Sequence, residues 1–215
     1  MTLASEPATF RADFMGRVPP EIAAAMTRAD MDLAASGIVA RALKAGQTAP
    51  GFDLPDAKGG RVLLADLLAR GPVVVSFYRG GWCPYCNMEL RALQKALPAM
   101  QALGANLIAI SPEAPDATPS TAEKNDLAFP VLSDHGSAVA KAWGIAFDLA
   151  EELRPIYTRF NHALPEHNAT DSWALPIPAT FVITQNGTVA MAFVDADCRV
   201  RLEPADIIAT LETLI

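Results

Sequence analysis

Two cysteines three residues apart, Cys83 and Cys86, stand in the stretch SFYRGGWCPYCNMEL, Ser76 to Leu90. Thiols at that spacing hold a metal, make and break a disulfide, or fill a core. A zinc site would need two more ligands. The nearest histidine candidates, His162 and His167, lie far outside finger spacing, and no second Cys-x-x-Cys exists. No metal is therefore expected. Inert core cysteines have no reason to sit at a strand-to-helix turn beside Gly80 and Gly81. That setting, with the wording Trp82-Cys83-Pro84-Tyr85-Cys86, favours redox chemistry.

The elements around the pair say why. Residues 72–78, PVVVSFY, form a β-branched, continuously apolar run of the kind a strand buried on both faces shows. A helical pattern follows to about Leu103, where Gly104 stops it, and ANLIAISP supplies a second buried strand. Strand, helix and strand in that order imply a crossover unit in a parallel sheet, with the cysteines at its first turn. A helix start carries unpaired N–H groups and a partial positive charge, which favour a thiolate. Pro84 suits the first helical turn, where its missing N–H costs little. Cys86, Leu90, Leu93, Leu97 and Met100 follow a four-three-four-three spacing, so Cys86 falls within the buried stripe and Cys83 roughly 60° away at its edge. Cys83 is expected to be the more accessible thiol.

Upstream, residues 19–45 read as one or two helices ahead of the main domain. GQTAPGFDLPDAKGGRVLLADLL offers two short extended pieces joined at Lys58-Gly59-Gly60. Downstream, short helices are expected in STAEKNDLA and GSAVAKAWG around a brief strand at Phe129–Leu132, and another over 149–162, broken at Pro155. ATFVITQNGTVAMAFV reads as a hairpin turning at Asn186-Gly187 with positive φ at both residues. A capped amphipathic helix closes the chain. This order is that of a thioredoxin-like α/β domain, a central mixed β-sheet flanked by helices. It spans 46–215, with 1–45 as an N-terminal helical extension expected to pack on the main domain or on a second subunit of a homodimer.

Composition bounds the setting. The 215 residues are 51% hydrophobic, enough for a sizeable core, and carry a net charge of −7 without a basic run. An electrostatic grip on nucleic acid or an anionic membrane is not expected. No signal-peptide-like block opens the chain and no long apolar run interrupts it, so a cytoplasmic protein is expected. The three cysteines are too few for a secreted disulfide scaffold. Cys198, among charges in VDADCRVRLEP, reads as a spare thiol. His135, His162 and His167 read as solvated, and DATPSTAEKND as a capped helix start rather than a site.

GQTAPGFDLPDAKGG, VVVSFYRGGWCPYCNMEL, NLIAISPE, FPVLSD and PATFVI together resemble the peroxiredoxin (AhpC/TSA) branch of the thioredoxin-like superfamily, and within it proteins carrying a Cys-x-x-Cys. The resemblance covers about residues 46–215. It places Cys86 on the peroxide-attacking position of the family's P-x-x-x-T/S-x-x-C pattern, Cys83 on the Thr/Ser position and Arg79 on the proline. The family's second active-site arginine, just before a late strand, is replaced by Pro178. The orienting hydroxyl and the distal guanidinium are thus both missing. Trp82 through Cys86 resemble thioredoxin and glutaredoxin sites, and Pro178 resembles their cis-proline facing the pair. Arg79, at the strand's end, is either a surface cation or a group that stabilises a thiolate, and Trp82 either packing or part of the site.

The resemblance implies a thiol peroxidase without cofactor. A hydrogen peroxide or organic hydroperoxide oxidises Cys86 to a sulfenic acid, Cys83 condenses with it to a disulfide, and a thioredoxin- or glutaredoxin-type dithiol restores the pair. The alternatives are a thiol–disulfide reductase in which Cys83 attacks and Cys86 resolves, and a redox-responsive binding protein whose disulfide only switches a surface.

Overall fold

The computed structural model describes residues 3, 5–56, 58–114 and 121–214. Three helices come first, α1 (Ser5–Met15), α2 (Pro20–Ala35) and α3 (Ile38–Arg41). The extended pieces expected next form an antiparallel pair, β1 (Asp53–Pro55) and β2 (Arg61–Leu63), with Gly59 at φ 84° in the turn, before the short α4 (Leu64–Leu68). Then come β3 (Val73–Phe77), α5 (Pro84–Ala102) and β4 (Asn106–Ser111), with β3 and β4 parallel. Beyond them lie α6 (Thr121–Lys124), β5 (Val131–Ser133), α7 (Ala138–Ala142), β6 (Ala146–Asp148), α8 (Arg154–Arg159), α9 (Leu164–Asn168) and β7 (Ala174–Pro176). The hairpin β8 (Ala179–Ile183) and β9 (Val189–Val194) and the helix α10 (Pro204–Glu212) complete the chain.

The main sheet has the order β5-β4-β3-β8-β9, parallel across its first three strands and antiparallel beyond. The alternation of side chains on β3 divides the core in two. Val73, Val75 and Phe77 join Ile108, Ile110, Phe181 and Trp143 on one face. Val74 joins Leu107, Val182, Ile207 and Leu211 on the other, against the whole α5 stripe of Cys86, Leu90, Leu93, Leu97 and Met100. Each buried leucine of that stripe contributes about 1.5–3 kcal/mol of transfer free energy. α5 ends where expected, at Gly104, whose φ of 72° suits a residue without a Cβ.

The N-terminal helices pack on the main domain. The Phe10 ring meets Tyr85 edge-on at 5.4 Å, Phe14 meets Phe160 at 6.0 Å, and Arg28 pairs with Glu152 at 2.9 Å. Two local expectations are corrected. Pro155 does not break a helix; it sits in the first turn of α8, where a missing N–H is no loss. The hairpin loop is one residue longer than a two-residue turn. Gly187 N donates to Thr184 O and Thr184 N to Thr188 O, so only Gly187 takes positive φ. Asn186 serves through its side chain, its Oδ1 accepting from Thr188 N at 3.1 Å. Residues 116–120, the DATPS part of the helix start expected there, lie outside the described residues.

Candidate active site

β3 delivers the chain into the site through Tyr78, Arg79, Gly80 and Gly81. The two glycines are there for room. A Cβ on Gly80, at φ 153°, would stand 2.2 Å from Trp82 Nε1, and one on Gly81 would stand 2.3 Å from Thr121 Oγ1. The turn therefore lets Trp82 fold back over it. Cys83 ends the turn in an extended conformation, its N–H donating to Gly80 O at 3.1 Å, and Pro84 opens α5. Asn87 secures the turn, its Nδ2 donating to Gly81 O at 2.8 Å and to Cys83 O at 3.1 Å. Its own Oδ1 accepts from the buried Asn125 at 2.8 Å.

Both sulfurs are buried: Cys83 is 2% exposed and Cys86 0%. The expectation that Cys83 is the accessible thiol is corrected. The neighbouring Trp82 and Tyr85 pack against the cluster that holds it, and remote rings lie on these two in turn, Tyr157 and His162 on Trp82 and Phe10 on Tyr85. Cys83 and Cys86 are both free thiols. Hydrogen bonding from the adjacent Cys86, helped by the nearby Arg79 and opposed by burial, brings the Cys83 thiol down to about 7. Burial first, and then the bond to Cys83, push Cys86 the other way. The dithiol thus keeps its proton on Cys86 and its charge on Cys83.

Two guanidiniums flank the pair. Arg79 is 7% exposed, donates to the Tyr157 hydroxyl, and lies 5.1 Å from the Trp82 ring centre and 5.6 Å from that of Tyr157. Of the two readings left open, it is the buried group beside the thiols. Arg201 is the second. Its Nη2 stands 3.6 Å from Cys86 Sγ. Its Nε lies 2.9 Å from Glu89 Oε2, both side chains almost wholly buried. Against the pull of burial, Glu89 holds Arg201 charged. Burial raises the Glu89 carboxyl while Arg201 opposes it. A guanidinium therefore does stand beside the pair in place of the one missing at Pro178, supplied from the loop after β9.

Sequence reasoning missed Arg201, Glu89, Tyr157, Asn87 and Glu113. Glu89 carried a signal: it follows Cys86 by three residues and lies on the buried stripe. Arg201 carried none, being one charge among several in a loop. Glu113 accepts from Gly81 N at 2.7 Å and lies 3.9 Å from His167 Nδ1. His162 and His167, expected to be solvated, are half-buried against Trp82 at centroid distances of 4.9 and 6.3 Å. His135 is exposed. Thr121, placed in a plain helix start, instead reaches Glu113 at 3.4 Å.

No cis peptide bond occurs among the described residues, which corrects the expectation for Pro178. Ile177 N donates to Ile145 O at 2.8 Å and Ala179 pairs with Phe77, so the chain enters β8 extended, as a trans bond allows. Pro178 lines a cavity of about 310 Å³ with Arg79, Tyr157, Cys198, Leu33 and Leu149. Cys83 and Cys86 do not line it. Cys198, read as a spare thiol, is half-buried on this wall.

No helix among the described residues is long and apolar enough to cross a membrane. The AhpC/TSA family model matches residues 45–192. Chloroplastic peroxiredoxin Q of Triticum aestivum is 35% identical over 139 residues, 64% of each chain. A Mycobacterium tuberculosis relative of peroxiredoxin type is 37% identical over 102 residues, 47% of this chain and 64% of its own length. The chain thus spans somewhat less than two thirds of these relatives. Among solved structures, peroxidoxin BcpB of M. tuberculosis superposes with a TM-score of 0.63 at 24% identity, covering 80% of this chain and 99% of that one. Xanthomonas campestris peroxiredoxin Q gives 0.57 at 20%, over 75% and 90%. These likenesses bear out the thioredoxin-like fold, and with residues 45–192 matched, the chain belongs to the AhpC/TSA family.

Proposed function

We propose that the protein is a thiol peroxidase that reduces hydrogen peroxide or an organic hydroperoxide through Cys83 and Cys86. The observation that carries this reading is a sheltered thiol pair in this family holding one negative charge between two buried guanidiniums, Arg79 and Arg201. A peroxide is small enough to reach a sheltered sulfur, and a fixed cation stabilises both the thiolate and the charge leaving on the departing oxygen. Family alignment gives the attack to Cys86, whereas the charge distribution gives it to Cys83; we assign the first encounter to Cys83, where the thiolate resides. Its sulfur takes one oxygen from the peroxide, water or an alcohol leaves, and the sulfenic acid condenses with the Cys86 thiol to a disulfide and water.

The disulfide needs an external thiol to return to the dithiol; the family implies a thioredoxin- or glutaredoxin-type dithiol, and with both sulfurs buried its electrons need a route that does not require a protein surface to touch the pair. A reducing compartment such as the cytoplasm fits that cycle. The reductase reading takes second place because a protein disulfide needs an exposed sulfur, and Cys83 offers 2%.

One equivalent of H2O2 added to the reduced protein tests the proposal. Two thiols should disappear far faster than a free thiol reacts, with a loss of two hydrogens in the peptide Trp82–Leu90. Retention of both thiols, or loss at the free-thiol rate, refutes it. Cys86→Ser should leave a sulfenic acid on Cys83 that a dimedone probe traps; trapping on Cys86 in Cys83→Ser alone would return the attack to the aligned position.

A further inference from the structure

The cavity beside Arg79 is not used by the chemistry above. Its volume of about 310 Å³ suits a small molecule and excludes a folded protein. Leu33 and Leu149 give it apolar wall. Arg79, in the same wall, is more than nine-tenths buried, and its Nε has no hydrogen-bond partner. Among the described residues its side-chain hydrogen-bond acceptor is the neutral Tyr157 hydroxyl. Once the pair is a disulfide the Cys83 thiolate no longer faces this guanidinium, and Asp30, which feels it, is held by two other arginines, so a bound anion would offset its desolvation cost. At the outside, Asp32 and Asp148 are exposed lining residues that favour a cation. Asp30, also lining, is already held by Arg199 at 3.0 Å and Arg11 at 3.6 Å. Cys198 is the one cysteine on the wall.

We propose that this cavity seats a low-molecular-weight zwitterionic thiol, its carboxylate on Arg79, its ammonium toward Asp32 and Asp148, and its sulfur against Cys198, which passes the electrons to the buried pair. The inference rests on the disulfide cycle proposed above. With both sulfurs of the pair buried, an incoming thiol meets Cys198 first. The loop that carries Cys198 to the cavity also carries Arg201 onto Cys86, so the two sulfurs belong to one neighbourhood. Cys198, as thiolate, attacks Cys86 Sγ of the disulfide; the Cys86–Cys198 bond forms, the Cys83–Cys86 bond breaks, and Cys83 leaves as thiolate. Cys83 is the better leaving group because its thiol titrates near 7. The bound thiolate then attacks Cys198, freeing Cys86, which takes up a proton. A second small thiol attacks the bound sulfur, releasing the small disulfide and the Cys198 thiolate. The sum is one protein disulfide reduced by two small thiols.

The test installs the Cys83–Cys86 disulfide with diamide, so that it does not depend on peroxide, and adds glutathione as probe. Acid quenching and peptide mass spectrometry should find glutathione on Cys198. Cys198→Ser should slow reduction by glutathione about tenfold. Leu33→Trp, which fills the cavity and leaves every sulfur in place, should slow glutathione much more than uncharged 2-mercaptoethanol. Glutathione found on Cys83, unchanged rates in both variants, or reduction achieved only by a thioredoxin-type dithiol would each overturn the proposal. If peroxide removes two thiols but Cys198 takes no glutathione, this inference alone fails. If the Cys198 adduct forms but peroxide does not oxidise the pair, the peroxidase reading alone fails.

Discussion

The two sides of the thiol pair are built from different materials. Beneath Cys86, α5, β8 and the loop after β9 bury a carboxylate and a guanidinium together: Glu89 sits between Arg201 and Thr180, whose Oγ1 lies 3.5 Å from Glu89 Oε1. Beside Cys83 the setting is aromatic: Trp82 packs on its cluster and carries Tyr157 and the half-buried His162 against its own ring, with Arg79 lying against two of the rings. The first region holds its charges by pairing them, the second holds a cation on π faces and one neutral hydroxyl. Two cysteines one helical turn apart therefore end with opposite protonation: burial keeps the proton on Cys86, and the bond from Cys86 with the adjacent Arg79 takes it from Cys83.

Breaking the paired side should do the most damage. Glu89→Ala leaves Arg201 charged and alone in the core, and should cost about 3–5 kcal/mol in urea denaturation of the reduced protein. The double variant Glu89→Leu with Arg201→Met should recover most of that loss, because neither charge is then stranded. A single variant as stable as the parent would mean that water reaches this pair.

The next effect is on reactivity. Iodoacetamide should modify Cys83 before Cys86, with a rate that rises through a midpoint near pH 7 and levels off above it. The sign follows from a lowered pKa: the thiolate is present above 7 and lost as pH falls through it, about tenfold in rate for each pH unit below. A midpoint at the ordinary thiol value would show that Cys86 donates nothing.

Arg79→Met probes the π-held cation. It should raise the Cys83 midpoint and lower alkylation at pH 7 several-fold, while leaving the urea midpoint nearer the parent's than Glu89→Ala does. Tyr157→Phe should have the smallest effect, the loss of one hydrogen bond worth about 0.5–1.5 kcal/mol, read as a slight upward shift of the same pH profile. If Tyr157→Phe outweighed Arg79→Met, the cation would owe its place to the hydroxyl and not to the rings.

Much of the frame was legible in the chain. The apolar run at 72–78 became a central strand, the four-three spacing of α5 became its buried face, and Gly104 ended the helix. These features are written in local order, because burial on one face imposes a period that the residues must obey. Pro155 and Pro178 were misread for a related reason. A proline states which φ it takes and which N–H it lacks, but whether that starts a helix or stops one depends on where the neighbouring segments pair. For Pro178 the pairing of Ala179 with Phe77 and of Ile177 with Ile145 decided it.

Local order along the chain was enough to bring two thiols to a helix start at the end of a buried strand, since a three-residue spacing, a proline and an apolar run require nothing from the remainder of the chain. What those thiols feel came from packing between distant segments. Arg201 reaches Cys86 from 115 residues away, and Tyr157 reaches Arg79 from 78. Such contacts have no period, because charge and hydrogen bonding act through distance in space, and loops bring together residues that no local pattern relates. The accessibility of Cys83 turned on the same point: the helix placed it at an open edge, and the Trp82 and Tyr85 rings beside it are held there by Tyr157, His162 and Phe10 from distant segments.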